Sequence, residues 1–273
     1  MKRLGIIGLG NIGFSVARAV LDGTVNGMQV VAYLDQNDCP NGVELQKLSP
    51  SPVAACTDFD AFIASGLDIV LEAASPSVVQ AYAHKIVEHG VDFMMMSVGG
   101  IIAPGFLDEL GAAAEAHGAT VYVPCGAITG LNVLYGGAIA GLDEVVLQST
   151  KSVAGLRDAP YIVKNGIHLE ALTEPTVVYR GNVYDAVTAF PQNVNIAASL
   201  ALSGFGCDKT MVEIVCDPHA SQISQRVLAR GAFGDMEISL HFLPSPNKRS
   251  SYMAILGAIS SLKKYASPVK LGY

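Results

Sequence analysis

The sequence predicts an α/β protein: a doubly wound parallel sheet plus a second α+β domain with a mainly antiparallel sheet. Three observations predict it. Through residue 127, short apolar runs alternate with segments of helical periodicity, the pattern of strands joined by crossover helices. The first of those strands runs straight into Gly8-Leu9-Gly10-Asn11-Ile12-Gly13. Beyond residue 130 the strand-like segments follow one another with few helices between them, and several alternate apolar and polar residues.

The elements follow in order. "RLGIIGL" is short and apolar enough for a buried strand, and "GNIGFSVARAVLDG" continues as an amphipathic helix. "MQVVAYLD" is a second strand, "FDAFIASG" a short helix and "DIVLEAA" a third strand. "SPSVVQAYAHKIVEHG" is a helix with Pro just inside its start and Gly at its end. "VDFMMMSVGG", "GFLDELGAAAEAHG" and "TVYVPCGA" complete the alternation as strand, helix and strand. "GLDEVVLQSTKSVAGL", "EPTVVYRGNV", "TMVEIVCDP", "SQRVLARGAFG" and "MEISLHFLP" then read as strands, interrupted by the helix "NVNIAASLALSGFG". The final helix, "SYMAILGAISSLKKYA", is expected to return to the first domain. Residues 1–127 with 250–273 therefore form a candidate dinucleotide-binding domain, and 128–249 a substrate-binding and dimerisation domain.

Composition bounds the function. The chain has 273 residues, 51% apolar and 15% charged, with a net charge of −7. A dense core is expected, and neither nucleic acid nor a membrane is an expected partner: basic runs are absent and no apolar run approaches the ~20 residues of a membrane span. The five cysteines carry no metal-ligand spacing, so no metal is expected and reduced thiols in a cytoplasmic protein are. An antiparallel sheet with a second apolar face needs cover, so a homodimer is expected.

The glycines carry the first chemistry. Gly8 permits a tight turn, Gly10 lets a pyrophosphate approach the backbone, and Gly13 allows close helix–strand packing, with Asn11 and Ile12 opening the helix. This is the fingerprint of a Rossmann-type domain, with the phosphates at the helix N-terminus. Asp35 ends the second strand, where a carboxylate accepts from an adenosine ribose and repels a 2′-phosphate. That predicts NAD, with NADP as the alternative; a solvated turn aspartate is the plainer reading. Ala74 and Ser75, after the third strand, belong to loops that should line the cofactor cleft, although Ser75 and Pro76 also suffice as a helix start. Cys125, at a strand end, could be a thiol nucleophile, but no local base accompanies it, and a small buried apolar side chain is the plainer reading.

"GLGNIG", "EAASP", "PCGAITGLNVL", "VVYRGNVYDAVTAFPQNVNIAASLALSGFG" and "CDP…GAFG…LPSP" together resemble the L-aspartate dehydrogenase family nearly end to end. The resemblance implies an NAD(P)-dependent amino-acid dehydrogenase acting on the CH–NH2 group of a small dicarboxylate-like substrate. It places Ala127 and Asn195 against the cofactor; Asn195 also suits a helix cap.

Three positions depart from the family pattern. Where its catalytic histidine is expected after Asp217-Pro218, this chain has Gln225, which does not titrate but can orient a carbonyl or water. His219, in the preceding turn, is a candidate substitute, and His168 a further one; His84, His89, His117 and His241 read as solvated. In "PNKRSS", Arg249 and Ser250 stand where the family has a substrate-binding cation and hydroxyl. Lys151 is retained in "STKSVAGL", but prolines that usually follow it are lost. Candidate catalytic residues are thus His219, Gln225 and Lys151, and candidate substrate-binding residues Arg249 and Ser250. A dehydrogenase for a different amino or oxo acid, or a non-catalytic NAD(H)-binding protein, are the alternatives.

Overall fold

A computed structural model of the protein describes residues 1–36, 39–191, 194–242 and 252–270. The chain divides into two compact units, Met1–Gly126 with Ala254–Tyr273, and Ala127–Met253.

The first unit is built on β1 (Lys2–Ile7), α1 (Asn11–Leu21), β2 (Met28–Leu34), α2 (Pro40–Leu48), β3 (Ala54–Cys56), α3 (Phe59–Ile63), β4 (Ile69–Glu72), α4 (Pro76–Glu88), β5 (Asp92–Met95), α5 (Phe106–His117) and β6 (Val121–Tyr122). All its strands are parallel, in the order β3-β2-β1-β4-β5-β6. The chain leaves β1 toward β2 on one side and later returns to β4 on the other. Loops after β1 and β4 therefore diverge and leave a crevice at the carboxyl edge. Leu4, Ile6, Ile69 and Leu71 are fully buried in the central strands and pack with Val16 and Val20 of α1. The pattern of "CPNGVELQKLSPSPVAAC" signals neither α2 nor β3, because α2 buries only Gly42 and Leu45 and β3 is three residues long.

The second unit contains α6 (Leu131–Ala140), β7 (Leu142–Lys151), α7 (Val153–Leu156), α8 (Pro160–Lys164), β8 (Thr176–Asn182), α9 (Val183–Ala189), α10 (Val194–Leu202), β9 (Met211–Cys216), β10 (Ile223–Gly231) and β11 (Gly234–Phe242). Its sheet runs β11-β10-β7-β9-β8. Three pairs are antiparallel, and β7 and β9 are parallel. The predicted strand through "SVAGL" stops at Lys151, before α7, and α6 fills a stretch to which the sequence pattern assigns no element. On one face Val145, Leu147, Val212, Ile214 and Val227 are buried, and α6 packs on β10 while α9 packs on β8 and β9. The opposite face, expected to be apolar, is mixed. Val146 and Val215 lie among the ion pairs Arg226–Glu237 (2.8 Å), Arg180–Glu213 (3.3 Å) and Arg230–Glu144 (3.8 Å).

The last helix, α11 (Tyr252–Ala266), has its residues from Ala254 onward in the first unit. There Ala258 and Leu262 join the core, and the Tyr265 hydroxyl donates to Asp92 at 2.9 Å. No helix among the described residues is long and apolar enough to cross a membrane.

Candidate functional site

In the first unit the glycine loop is shaped by close contacts at Gly8 and Gly13. Gly8 has φ +88°, which a side chain rarely adopts, and a Cβ there would lie 2.7 Å from that of Ala74. A Cβ on Gly13 would strike the Gly8 carbonyl oxygen, so only glycine lets α1 start this close to β1. Gly10 is different: nothing lies within 4 Å of where its Cβ would stand. The backbone is open on that side, and no side chain caps α1, whose N-cap is Gly10. Asn11 begins the helix, and Ile12 packs against the core. An uncapped helix start beside open glycine backbone accommodates a pyrophosphate.

Asp35 is tied to this loop. Its Oδ2 accepts from the Leu9 N–H at 2.5 Å and its Oδ1 from the Gln36 N–H at 2.7 Å. Asn41, at the start of α2, donates from Nδ2 to the Leu9 carbonyl at 2.8 Å. Asn41 carries no signal in the sequence, because the helix that presents it has none. These residues fit a nicotinamide dinucleotide: Gly8 to Gly13 would hold its pyrophosphate and Asp35 its adenosine ribose.

Glu72 was not anticipated. It ends β4, is fully buried, and accepts three hydrogen bonds from Ala74 N–H (2.7 Å), Ser97 N–H (3.0 Å) and Ser97 Oγ (2.8 Å). Burial pushes its carboxyl above the ordinary range, and the Ala74 and Ser97 donors partly offset that. One carboxylate thus joins the loops after β4 and β5. A lone acid in the apolar run "DIVLEAA" was the available signal. Ala74 is exposed, and half-buried Ser75 is the N-cap of α4, its hydroxyl 2.9 Å from that of Ser77. Cys125 is exposed, with no base hydrogen-bonded to it among the described residues.

In the second unit the alternation of β7 puts Leu147, Ser149 and Lys151 on the covered face. Gln225 of β10 lies directly opposite Ser149. It is 5% exposed, and its Nε2 donates to Ser149 Oγ at 3.0 Å. Its Oε1 is buried without a partner among the described residues. Lys151, half-buried, opens onto a pocket of about 470 Å³ lined also by Leu156, Asp158, Pro160, Phe190 and Pro191. Phe190 in turn meets Tyr161 at a tilt and Tyr179 edge-on, with ring centroids 5.6 and 5.1 Å away. No carboxylate pairs with Lys151 among the described residues, and burial lowers its ammonium from 10.5 to about 8.

The histidines stand elsewhere. His219 is exposed in the turn between β9 and β10, its ring nitrogen 3.2 Å from the Thr173 carbonyl oxygen, and it does not line the pocket. His168 is exposed before a short 3-10 turn. Ala127 is buried, and Asn195 lies in the first turn of α10. Arg249 and Ser250 lie outside the described residues. Among the described residues no cluster of His, Cys, Asp and Glu could hold a metal.

Comparison with known proteins agrees with both halves. Residues 8–124 match the profile described as homoserine dehydrogenase, NAD binding domain, and residues 132–265 that of aspartate dehydrogenase, C-terminal. The L-aspartate dehydrogenase of Methanosarcina acetivorans is 35% identical over 273 residues, covering 100% of both chains. That of Nitrosopumilus maritimus is 35% identical over 268 residues, covering 98% of this chain and 97% of its own. The crystal structure of aspartate dehydrogenase from Thermotoga maritima superposes with a TM-score of 0.76 at 23% identity, covering 100% of both chains, a likeness of fold. The glycine loop, the parallel sheet and these relatives define an NAD(P)-dependent oxidoreductase acting on the CH–NH2 group of an amino acid. The chain belongs to the aspartate dehydrogenase family.

Proposed function

We propose that the protein interconverts L-aspartate, or a closely similar small amino dicarboxylate, with its imine, and prefers NAD to NADP. The observation that carries this reading is the Lys151 amine, unpaired among the described residues and facing a pocket of about 470 Å³. A cation without a carboxylate partner is what an acidic substrate requires. The relatives named L-aspartate dehydrogenase, similar over the full chain, support the same substrate.

In this reading a bound nicotinamide dinucleotide supplies two-electron exchange with the substrate's α-carbon. Gly8, Gly10, Asn11, Ile12, Gly13, Ala74 and Ser75 hold its phosphates, and Asp35 selects against a 2′-phosphate. Ala127 and Asn195 are further candidate cofactor residues, on the resemblance to the family. Lys151, Arg249 and Ser250 take the substrate carboxylates. Gln225, fixed by Ser149, orients a carbonyl or water, and His219 is a second polar candidate. Two copies are proposed to pair through the mixed outer face of the second sheet, which sedimentation of the purified protein tests. The five free cysteines support a cytoplasmic site.

NADH oxidation with oxaloacetate and ammonium, run beside a Gln225→His variant, tests the reading. Turnover by the wild type supports it. NADH binding without turnover, with activity gained in the variant, favours the second reading, a retained scaffold for another substrate or for none. That reading rests on Gln225 itself, a buried side chain that cannot titrate.

A further inference from the structure

We propose that Lys151 is both the cation of the substrate pocket and the group that carries the reaction's proton. The inference rests on the amino-acid reading above and goes beyond it by assigning the acid–base step. Three features of the second unit lead there. The polar residue opposite Ser149 on the covered face, Gln225, cannot exchange a proton. His219 holds a backbone carbonyl and His168 is exposed, and neither lines the pocket. Lys151 does line it, at the end of β7, where α7 turns the chain away.

Its surroundings bring loss of the ammonium proton within reach, with the cation still the main form below about 8. Cys216 is its neighbour on β9, a thiol that burial pushes upward and keeps uncharged. Asp217 donates its N–H to the Lys151 carbonyl at 2.9 Å, and Asp158 shares the pocket, but neither carboxylate forms an ion pair with the ammonium. With burial holding it to about 8, the amine loses its proton within the working range of a cell, as an ordinary lysine does not.

In the oxidative direction the substrate's ammonium gives one proton to the Nζ lone pair: an N–H bond breaks on the substrate and one forms on Lys151. Two-electron oxidation at the α-carbon leaves an iminium. Water adds to that carbon and releases one proton to solvent. Lys151 then returns its proton to the nitrogen; the C–N bond breaks as the C=O forms, and the hydroxyl proton passes to the leaving ammonia, which departs as ammonium. Lys151 ends neutral, as it began, and one proton is released overall.

Lys151→Arg keeps a cation but not a titratable amine near neutrality, so it separates the two roles. The expected result is a kcat lower by about a hundredfold or more with the oxaloacetate KM little changed, and NADH binding intact as the control of folding. Lys151→Met should lose both kcat and KM. Acylation of Lys151 in the wild type, read by mass spectrometry across pH, should show a midpoint near 8 and protection by oxaloacetate. An arginine variant within about tenfold of wild-type kcat, with an unshifted pH profile, overturns the proposal while leaving the substrate reading intact. Should the wild type bind NADH and turn nothing over, the substrate reading fails and labelling alone decides: a midpoint near 8 with protection supports the lysine's role, and ordinary lysine reactivity or no protection overturns it.

Discussion

Gln225 and Ser149 face one another across β10 and β7, both buried, joined by one hydrogen bond of 3.0 Å from the amide nitrogen to the hydroxyl oxygen. The other end of the amide has no partner among the described residues. The unit therefore carries a buried polar group that only half satisfies itself. A ligand, or a titratable side chain at 225, would find it ready.

Removing one member should cost more than removing both. Ser149→Ala leaves the amide wholly unpaired and should lower stability by about 1–3 kcal/mol in urea unfolding. Ser149→Ala with Gln225→Leu replaces both by apolar groups and should recover most of that loss. A double variant no better than Ser149→Ala would mean that the amide is satisfied in solution.

Glu72 predicts a pH dependence of stability. Burial raises its carboxyl above the ordinary 4.5, so the folded protein holds the proton more tightly than the unfolded chain does. Its contribution is full below the unfolded carboxyl range and is lost as pH rises through the raised value. Glu72→Gln removes this dependence while leaving one of the three donors facing an amide, at a cost of about 1–3 kcal/mol. Urea midpoints of the two proteins should converge as pH rises from about 4 to about 7. A constant separation would mean that Glu72 is ionised alike in both states.

The glycine loop should separate folding from binding. A side chain at Gly10 meets nothing within 4 Å, so Gly10→Val should keep its melting temperature yet lose NADH binding. At Gly13 the same addition strikes the Gly8 carbonyl, so Gly13→Val should destabilise the first unit as well. Thermal melts with and without NADH read both effects.

Asp35 should govern cofactor choice. Asp35→Ser removes the charge that opposes a 2′-phosphate and keeps a hydroxyl near the Leu9 N–H that Asp35 accepts. The ratio of NADH to NADPH affinity should fall by about tenfold, equivalent to ~1.4 kcal/mol. Fluorescence titration with both dinucleotides measures it, and an unchanged ratio would remove Asp35 from the specificity account.

The sequence by itself determined the first unit's strands and helices other than α2 and β3, its glycine loop and Asp35, and the switch to a second sheet after residue 130. Those signals are local: an apolar period, a turn that tolerates only glycine, an acid at a strand end. It also marked Lys151, Gln225 and His219 as candidates without ranking them. Tertiary structure ranked them, because only strand register puts Ser149 opposite Gln225, and only the turn into α7 opens Lys151 to the pocket. The clamps formed by Glu72 and Asn41 depend on loops far apart in the chain, and α6 lacks charged residues and clear amphipathicity. A period or a cap is written within a few neighbouring residues. A buried partner or a shifted proton affinity is set by whichever residues the fold brings close, and no single stretch of chain records that.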